Sequence, residues 1–126
     1  MAKYQVIFFK EDNGSVPAKD FINSLDTKMV AKIYRLIAMI TENGPELREP
    51  YSKHLKDGIF ELRAQIGSDI SRVLYFFFMG QRVVITNGFT KKTQKTPEAE
   101  IEKARNYRRE WEAKWTKHLK KHSQNK

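Results

Sequence analysis

The sequence of 126 residues contains no cysteine, and its apolar runs are short. Without cysteine, disulfide frameworks, thiolate metal sites and thiol nucleophiles are excluded, and a reducing compartment is expected. No run approaches the roughly 18 apolar residues that a membrane-spanning helix needs, and the first residues lack the long apolar core of a signal peptide. We therefore expect a cytoplasmic protein without a membrane partner.

Several sequence signatures of enzymes are also missing. The chain has no phosphate-binding G-x-x-x-x-G-K-[ST] loop, no dinucleotide-binding G-x-G-x-x-G, no zinc-binding H-E-x-x-H and no G-x-S-x-G elbow. Its three histidines, His54, His118 and His122, are too scattered in the sequence to predict a metal cluster. We expect neither a metal nor a cofactor.

Length and composition are typical of one globular domain. Hydrophobic residues make up 40% of the chain and charged residues 31%, so the chain can bury a core and keep a charged surface. The last ten residues, KHLKKHSQNK, offer little apolar surface for packing. We predict a single domain over residues 1–116 and a frayed basic tail over residues 117–126.

Positive charge dominates the second part of the chain. The 24 Lys and Arg residues outnumber the 15 Asp and Glu residues, whereas residues 1–50 hold seven of each kind. The whole net charge of +9 therefore arises after residue 50. Such a distribution favours a polyanionic partner, and the candidates are RNA, DNA, an acidic membrane surface and an acidic protein.

The first half of the chain predicts one strand and two helices. The β-branched and aromatic residues of KYQVIFFK (3–10), followed by the turn sequence EDNG, predict a strand. Pro17 begins a short amphipathic helix. A second amphipathic helix follows Asp26 or Thr27 as N-cap and ends at NGP (43–45). The two helices are expected to form a hairpin.

Three strands and a final helix are predicted in the second half. In IFELRAQI (59–66) apolar and polar residues alternate, which indicates a strand with one polar face. RVLYFFFM (72–79) is apolar on both faces, as in a central strand, and GQ then leads through a tight turn into RVVITNGF (82–89). Thr96 as N-cap and Pro97 at the first helical position begin the last helix. The predicted fold is α+β, in the order β-α-α-β-β-β-α, with the helical hairpin packed on a small, mainly antiparallel sheet.

Basic residues cluster around the predicted antiparallel strands. They precede the polar strand, lie on it, open the next strand and follow the last one: Lys53, His54, Lys56, Arg63, Arg72, Lys91, Lys92 and Lys95. A solvated surface loop is the ordinary explanation for lysines such as those of FTKKTQKTP (89–97). The alternative is that folding brings the cations together as a phosphate-binding site.

Three segments in this order, SKHLKDGIFELR, SRVLYFFFMGQRVVITNGF and TKKTQKTPEAEIEKA, resemble the phage-associated, HigB-like branch of the RelE toxin superfamily. The resemblance covers about residues 3–112. It implies a RelE-like fold and a ribosome-dependent mRNA endonuclease that is the toxin of a toxin–antitoxin pair. It also implies a cognate antitoxin, often a helix-turn-helix protein, and the ribosome and mRNA as further partners.

The resemblance also implies roles for particular residues. The catalytic positions of the family correspond to six residues of this chain: Lys53, His54, Arg63, Arg72, Lys91 and Lys92. Lys56 and Lys95 are expected to bind RNA. Many relatives have tyrosine or histidine near the end of the last strand, where this chain has Asn87, Gly88 and Phe89, so the general acid is left open.

Elementary chemistry supports such a site. Cleavage of RNA by its own 2′-hydroxyl passes through a phosphorane with additional negative charge, which preorganised cations stabilise more than the ground state. The guanidinium fork of Arg63 or Arg72 matches two phosphate oxygens, whereas lysines act as point charges. For proton transfer, the open candidates are His54, Glu49, Glu61 and a lysine made more acidic by neighbouring cations.

Other interpretations stay open from the sequence. Arg63 could pair with Glu61 or Asp69 on a solvent-exposed face, and Trp111 and Trp115 are more typical of a core or an antitoxin contact than of base stacking. For the whole chain, a ParE-like gyrase inhibitor or a non-catalytic nucleic-acid-binding protein of phage origin would have a similar fold. A converging set of phosphate-binding cations favours the nuclease.

Overall fold

The computed structural model describes residues 3–124, and the side chains of residues 3–121. The fold is α+β, with a five-stranded mixed sheet and helices on both of its faces, in the order β-α-α-β-β-β-β-α. The predicted fold class is confirmed, and the sheet has one strand more than the sequence predicts. Within the described residues, no helix is both long and apolar enough to span a membrane.

One strand and two helices come first, as the sequence predicts. β1 spans Gln5–Phe8, α1 spans Pro17–Asn23 and α2 spans Thr27–Asn43. The N-cap of α2 is Asp26, whose side chain accepts a hydrogen bond from the amide of Met29. A 3-10 turn over Gly44–Glu46 follows α2, and Gly44 has a positive φ of 52°, which glycine adopts without strain.

The remaining four strands form an antiparallel meander. They are β2 (Ser52–Lys56), β3 (Ile59–Ile66), β4 (Asp69–Phe78) and β5 (Arg82–Lys91). β1 pairs with β5 in parallel, so the order across the sheet is β1-β5-β4-β3-β2. The apolar strand β4 is therefore central, as its sequence predicts.

β2 is the strand that the sequence pattern misses. Lys53, His54 and Lys56, which the sequence places in a segment before the polar strand, lie on β2 itself. β2 is an edge strand, and lysines are typical of such edges because they discourage pairing with other chains. It has no β-branched or aromatic residue. Its pairing with β3, rather than its local propensity, therefore makes it a strand.

The two faces of the sheet carry separate cores. On one face, α1 and α2 pack against side chains such as Leu62 and Val73. On the other face, the last helix, α3 (Glu98–Gln124), packs against residues such as Ile59 and Leu74. The sheet is therefore covered on both sides, and a polar side chain on either face becomes buried unless it lies near an edge.

Side-chain alternation places three charged residues on the α3 face. Glu61 and Arg63 follow Ile59 at alternate positions of β3, and Arg72 precedes Leu74 by two positions on β4. All three side chains therefore point to the same side as the core beneath α3. The sequence predicts a solvent-facing polar face here, whereas α3 and the segment before it cover this face.

α3 extends beyond the predicted end of the domain. The helix continues to Gln124, residues 125–126 lie outside the described part of the chain, and the frayed tail over residues 117–126 stays a prediction. Lysine, glutamine and leucine are good helix formers, so the helix can continue without further packing. Trp111, which the sequence favours as a core residue or an antitoxin contact, packs edge to face against the ring of Phe78 with centroids 5.6 Å apart.

Candidate active site

A buried carboxylate, that of Glu61, organises the α3 face of β3. Its exposure is 0%, and its oxygens meet the side chains of Arg63, Arg72 and Thr96. Arg63 Nε donates to Oε2, the Thr96 hydroxyl donates to Oε1, and Arg72 Nε lies 3.7 Å from Oε1. Two cations therefore share one anion, and the cluster keeps a net positive charge. Because Glu61 is enclosed by these partners, it is not placed to take a proton from a substrate.

Arg63 is the member of this cluster that reaches the surface. Its side chain is 19% exposed. Besides the bond to Glu61, Nη1 donates to Gln94 Oε1 at 3.1 Å and Nη2 donates to the carbonyl oxygen of Gln94. A guanidinium has five N–H donors, so one N–H on each terminal nitrogen is left for a ligand. Each of these donors can bind an oxygen of a phosphate.

Arg72 lies behind Arg63 and does not reach the surface. Its side chain is 0% exposed, Nη2 donates to the carbonyl oxygen of Thr93, and the guanidinium lies 5.5 Å from the centre of the Phe89 ring. Burial lowers the pKa of Arg72 and the nearby Glu61 opposes this shift, but an arginine stays charged. The sequence places Arg72 among the phosphate-binding cations, whereas the segment after β5 covers it in the structure.

A cleft of about 460 Å³ opens beside Arg63. The side chains that give it positive charge are those of Lys53, Lys56, Arg63 and Lys95. Lys56 is held by α3, because its Nζ lies 2.6 Å from Glu98 Oε2. Within the described residues, the side chains of Lys53 and Lys95 have no hydrogen-bond or ion-pair partner. Two lysines are therefore available to a ligand in this cleft.

The start of β2 determines where Lys53 points. Ser52 is buried, and its hydroxyl shares a hydrogen bond with the phenol of Tyr75 on β4. Burial raises the pKa of Tyr75 to about 12, against the effect of the Ser52 bond, so the phenol is neutral at physiological pH. Lys53 pairs with Glu61 in the register of β2 and β3, and its side chain therefore lies on the α3 face with Arg63.

His54 borders the cleft, but its ring lies on the opposite side of β2. It pairs with Phe60, and the two rings meet edge to face with centroids 4.9 Å apart. Phe60 packs against the core beneath α1 and α2. His54 Nε2 accepts a hydrogen bond from the amide of Gly58 at 3.2 Å. The structure thus separates the side chains of His54 and Lys53, which the resemblance places in one catalytic set.

Lys91 and Lys92 are exposed at the end of β5 and are not among the residues that line the cleft beside Arg63. The residues that follow them turn back over the arginines through the carbonyl oxygens of Thr93 and Gln94. Of the lysines in FTKKTQKTP, the structure therefore brings only Lys95 to the cleft.

Residues 20–109 of the chain match the model of a family described as Phage derived protein Gp49-like (DUF891). The chain belongs to this family. The Gp49-like family is phage-derived and associated with toxin–antitoxin systems, which agrees with the resemblance to RelE-superfamily toxins. The matched range includes the Glu61 cluster and the cleft beside Arg63. No curated protein matches the chain.

Two residues of the candidate site, Gln94 and Thr96, were not assigned a role there by the sequence. The sequence predicts Thr96 as the N-cap of α3. In the structure the Thr96 hydroxyl donates to Glu61, and the carbonyl oxygen of Pro97, the residue directly before α3, accepts the hydrogen bond from the amide of Ile101. Gln94 binds Arg63 through both its side chain and its backbone. The one sequence signal for this cluster is an acidic residue within the largely apolar run IFEL.

Metal ligands do not gather in the described part of this Gp49-like chain. Among those residues, no group of three or more His, Asp or Glu side chains is placed to hold a metal ion. The side chain of His122, one of the histidines considered from the sequence, lies outside the described residues.

Proposed function

We propose that this Gp49-like protein is a toxin of the HigB-like branch of the RelE superfamily and cleaves mRNA on the ribosome. The observation that carries the proposal is the surface fork of Arg63, held beside a cleft that also contains Lys53, Lys56 and Lys95. Membership of a toxin–antitoxin-associated family supports the role of a toxin. The proposed partners are the ribosome, mRNA and a cognate helix-turn-helix antitoxin in the cytoplasm.

The proposed reaction is attack of a 2′-hydroxyl on the adjacent phosphorus. The 2′-oxygen forms a bond to phosphorus, and the bond from phosphorus to the 5′-oxygen breaks. The 2′-hydroxyl loses its proton, the 5′-oxygen gains one, and a 2′,3′-cyclic phosphate is left. Arg63 binds the two non-bridging oxygens, which gain negative charge in the transition state, and so it lowers the barrier rather than only tightening binding.

Glu61 and Arg72 act through Arg63 in this proposal. Glu61 holds Nε of Arg63, and Arg72 neutralises part of the charge of Glu61 and anchors the carbonyl oxygen of Thr93. An arginine held in this way needs little rearrangement when charge develops on the phosphate. Arg72 is therefore proposed as a positioning residue that does not touch the substrate.

Lys53 is proposed to carry a proton transfer, and Lys95 is proposed to bind a phosphate next to the one that is cleaved. Both line the cleft, and within the described residues neither has a carboxylate partner, whereas Lys56 is paired with Glu98. The ammonium group of Lys53 donates a proton to the leaving 5′-oxygen, and the proton of the 2′-hydroxyl passes to water. The ring of His54 faces the other side of β2 and is not assigned a transfer.

Primer extension of mRNA from a translating extract tests the proposed function. Cuts should appear with the wild-type protein, be far more frequent with ribosomes than on isolated RNA, and be absent with Arg63→Ala. Inhibition of gyrase supercoiling without cuts would support the ParE-like alternative. Binding of RNA without cuts, in the presence of ribosomes, would support a non-catalytic nucleic-acid-binding protein.

Lys95→Ala should weaken binding to single-stranded RNA in a salt-dependent manner. One lost phosphate contact lowers the slope of log K against log [salt] by roughly 0.7. Low salt should therefore rescue part of the loss. Lys28→Ala is the matched control, because Lys28 is exposed at the start of α2 and does not line the cleft. An unchanged slope for Lys95→Ala would remove Lys95 from the RNA-binding surface.

The effects of Arg72→Ala on RNA binding and on cleavage should differ from those of Lys95→Ala. Because Arg72 positions Arg63 and does not contact phosphate, its loss should lower the rate of cleavage more than the affinity, and low salt should not restore the rate. Equal losses of binding for Arg72→Ala and Lys95→Ala, with equal recovery at low salt, would make Arg72 part of the general electrostatic surface.

Cleavage of isolated RNA by the purified protein should continue in EDTA. The proposed site stabilises the phosphorane with side-chain cations, so chelation removes nothing that the reaction uses. Isolated RNA is the suitable substrate, because ribosomes need magnesium for their own integrity. Loss of cleavage in EDTA, with recovery when zinc or manganese binds the protein, would contradict this mechanism.

A further inference from the structure

A second cleft, of about 340 Å³, lies on the other side of Arg63. Arg63 and Gln94 line both clefts, so the two cavities meet at these side chains. The other polar and aromatic residues of the second cleft come from α2, from the segment before β2 and from β3: Lys32, Glu49, Tyr51 and Gln65. The mechanism proposed above uses none of them.

Tyr51 lies across from Arg63 and on the same face of the sheet. The amide of Arg63 donates to the carbonyl oxygen of Tyr51 at 3.0 Å, so residue 51 extends the ladder of β2 and β3 by one position. The side chains of Tyr51 and Arg63 line this cleft together. Tyr51 is 45% exposed, which leaves an uncovered aromatic ring beside the arginine.

Glu49 is an exposed carboxylate in the same cleft. Among the described residues it has no ion-pair or hydrogen-bond partner, although the chain has a net charge of +9. A carboxylate at this place weakens the attraction of the site for a phosphate, so phosphate binding does not account for it. Carboxylates do accept hydrogen bonds from the amino groups of nucleobases.

We propose that the second cleft is a nucleoside-binding subsite, in which one base of single-stranded RNA stacks on Tyr51 and donates from its amino group to Glu49. This inference rests on the proposed function, because it places the phosphate next to that nucleoside on Arg63. The volume lies at the lower end of the roughly 300–1,000 Å³ range of small-molecule sites and suits one nucleoside. Adenine, cytosine and guanine carry an amino group and uracil does not, so the subsite disfavours uridine.

Binding of fluorescently labelled 2′-O-methyl oligonucleotides tests the subsite, because they lack the attacking hydroxyl and cannot be cut. Fluorescence anisotropy should show that Tyr51→Ala weakens binding of a cytidine oligomer roughly 5- to 150-fold, the range for loss of one base-stacking contact. Tyr51→Phe should bind within about twofold of the wild type, because the ring remains. Tyr34→Ala is the matched control, since Tyr34 is 42% exposed on α2 and lines neither cleft.

Glu49→Gln tests the choice of base. The wild type should bind the cytidine oligomer several-fold more tightly than the uridine oligomer, and this ratio should shrink in Glu49→Gln. Removing a negative charge raises the affinity for both oligomers. The ratio of the two affinities is not changed by this general gain. A ratio unchanged by Glu49→Gln would overturn the role of Glu49.

The outcomes separate this inference from the proposed function. A loss for Tyr51→Ala no greater than for Tyr34→Ala would overturn the subsite, even if ribosome-dependent cuts are found. Binding that depends on Tyr51 without any cuts would support the subsite and contradict the nuclease. If Tyr51→Ala unfolds at a lower urea concentration than Tyr34→Ala, Tyr51→Leu replaces it, because leucine keeps apolar bulk and lacks a stacking ring.

Discussion

Replacement of Arg63 by alanine or by lysine should lower the rate of mRNA cleavage roughly 100- to 1,000-fold, the usual cost of one preorganised donor to a developing oxyanion. Lysine keeps the charge but not the planar fork, so it cannot bond Glu61 and Gln94 and still offer two N–H groups to a phosphate. The rate of single-turnover cleavage on programmed ribosomes measures the effect.

The control for this prediction is Arg35→Lys, because Arg35 is an exposed arginine on α2. It should cleave at the wild-type rate. Far-UV circular dichroism and urea unfolding should show that the Arg63 variants stay folded, although the bonds to Gln94 are lost and the segment before α3 becomes less firmly held. A folded Arg63→Lys variant with the wild-type rate would mean that the arginine fork pairs with Glu61 but does not contribute to cleavage.

Most of the fold could be predicted because its elements carry their own local signals. α2 has an apolar stripe and a capping aspartate, and the run RVLYFFFM is apolar on both faces and proves to be the central strand. β2 could not be predicted, because SKHLK lacks strand-forming residues and becomes a strand only through its ladder with β3. An edge strand that is charged to prevent aggregation resembles a loop in sequence.

The candidate site was predictable only in the identity of its cations. Residue type and resemblance indicate Arg63 and Lys53, and the structure places both at one cleft. Burial was not predictable, because Arg72 and Glu61 are enclosed by a segment about 20 to 35 positions further along the chain. Such long-range contacts leave no periodic pattern in the sequence.

The face of β2 on which each side chain lies was also not predictable. His54 and Lys53 are adjacent in sequence, and a loop would allow both side chains to reach one ligand. Because they lie on a strand, their side chains point to opposite faces, and only Lys53 shares a face with Arg63. The resemblance and the chemistry of histidine indicate His54 as a catalytic candidate, but neither contains the information on which face of β2 its ring lies.

Glu61→Gln should lower the free energy of unfolding by about 3–5 kcal/mol, the usual cost of removing one partner from a buried ion pair. Glutamine keeps the shape of the side chain and one acceptor oxygen for the Thr96 hydroxyl, but its amide nitrogen cannot accept the hydrogen bond from Arg63 Nε, so the change removes the charge and one hydrogen bond. Arg72, with 0% exposure, is then left as a buried cation without an anion. Urea unfolding of both proteins measures the difference.

The double variant Glu61→Gln/Arg72→Met tests whether the uncompensated charge of Arg72 causes this loss of stability. Methionine fills much of the space of the arginine without its charge, so the double variant no longer buries an uncompensated cation. Its loss should be smaller than the sum of the two single losses, with a coupling energy of roughly 0.5–3 kcal/mol. Additive losses would mean that Glu61 and Arg72 do not stabilise each other at their separation of 3.7 Å. The control pair Glu102→Gln and Arg109→Met on α3, whose side chains are 51% and 59% exposed with the charges 3.3 Å apart, should show almost no coupling, because water screens an exposed ion pair.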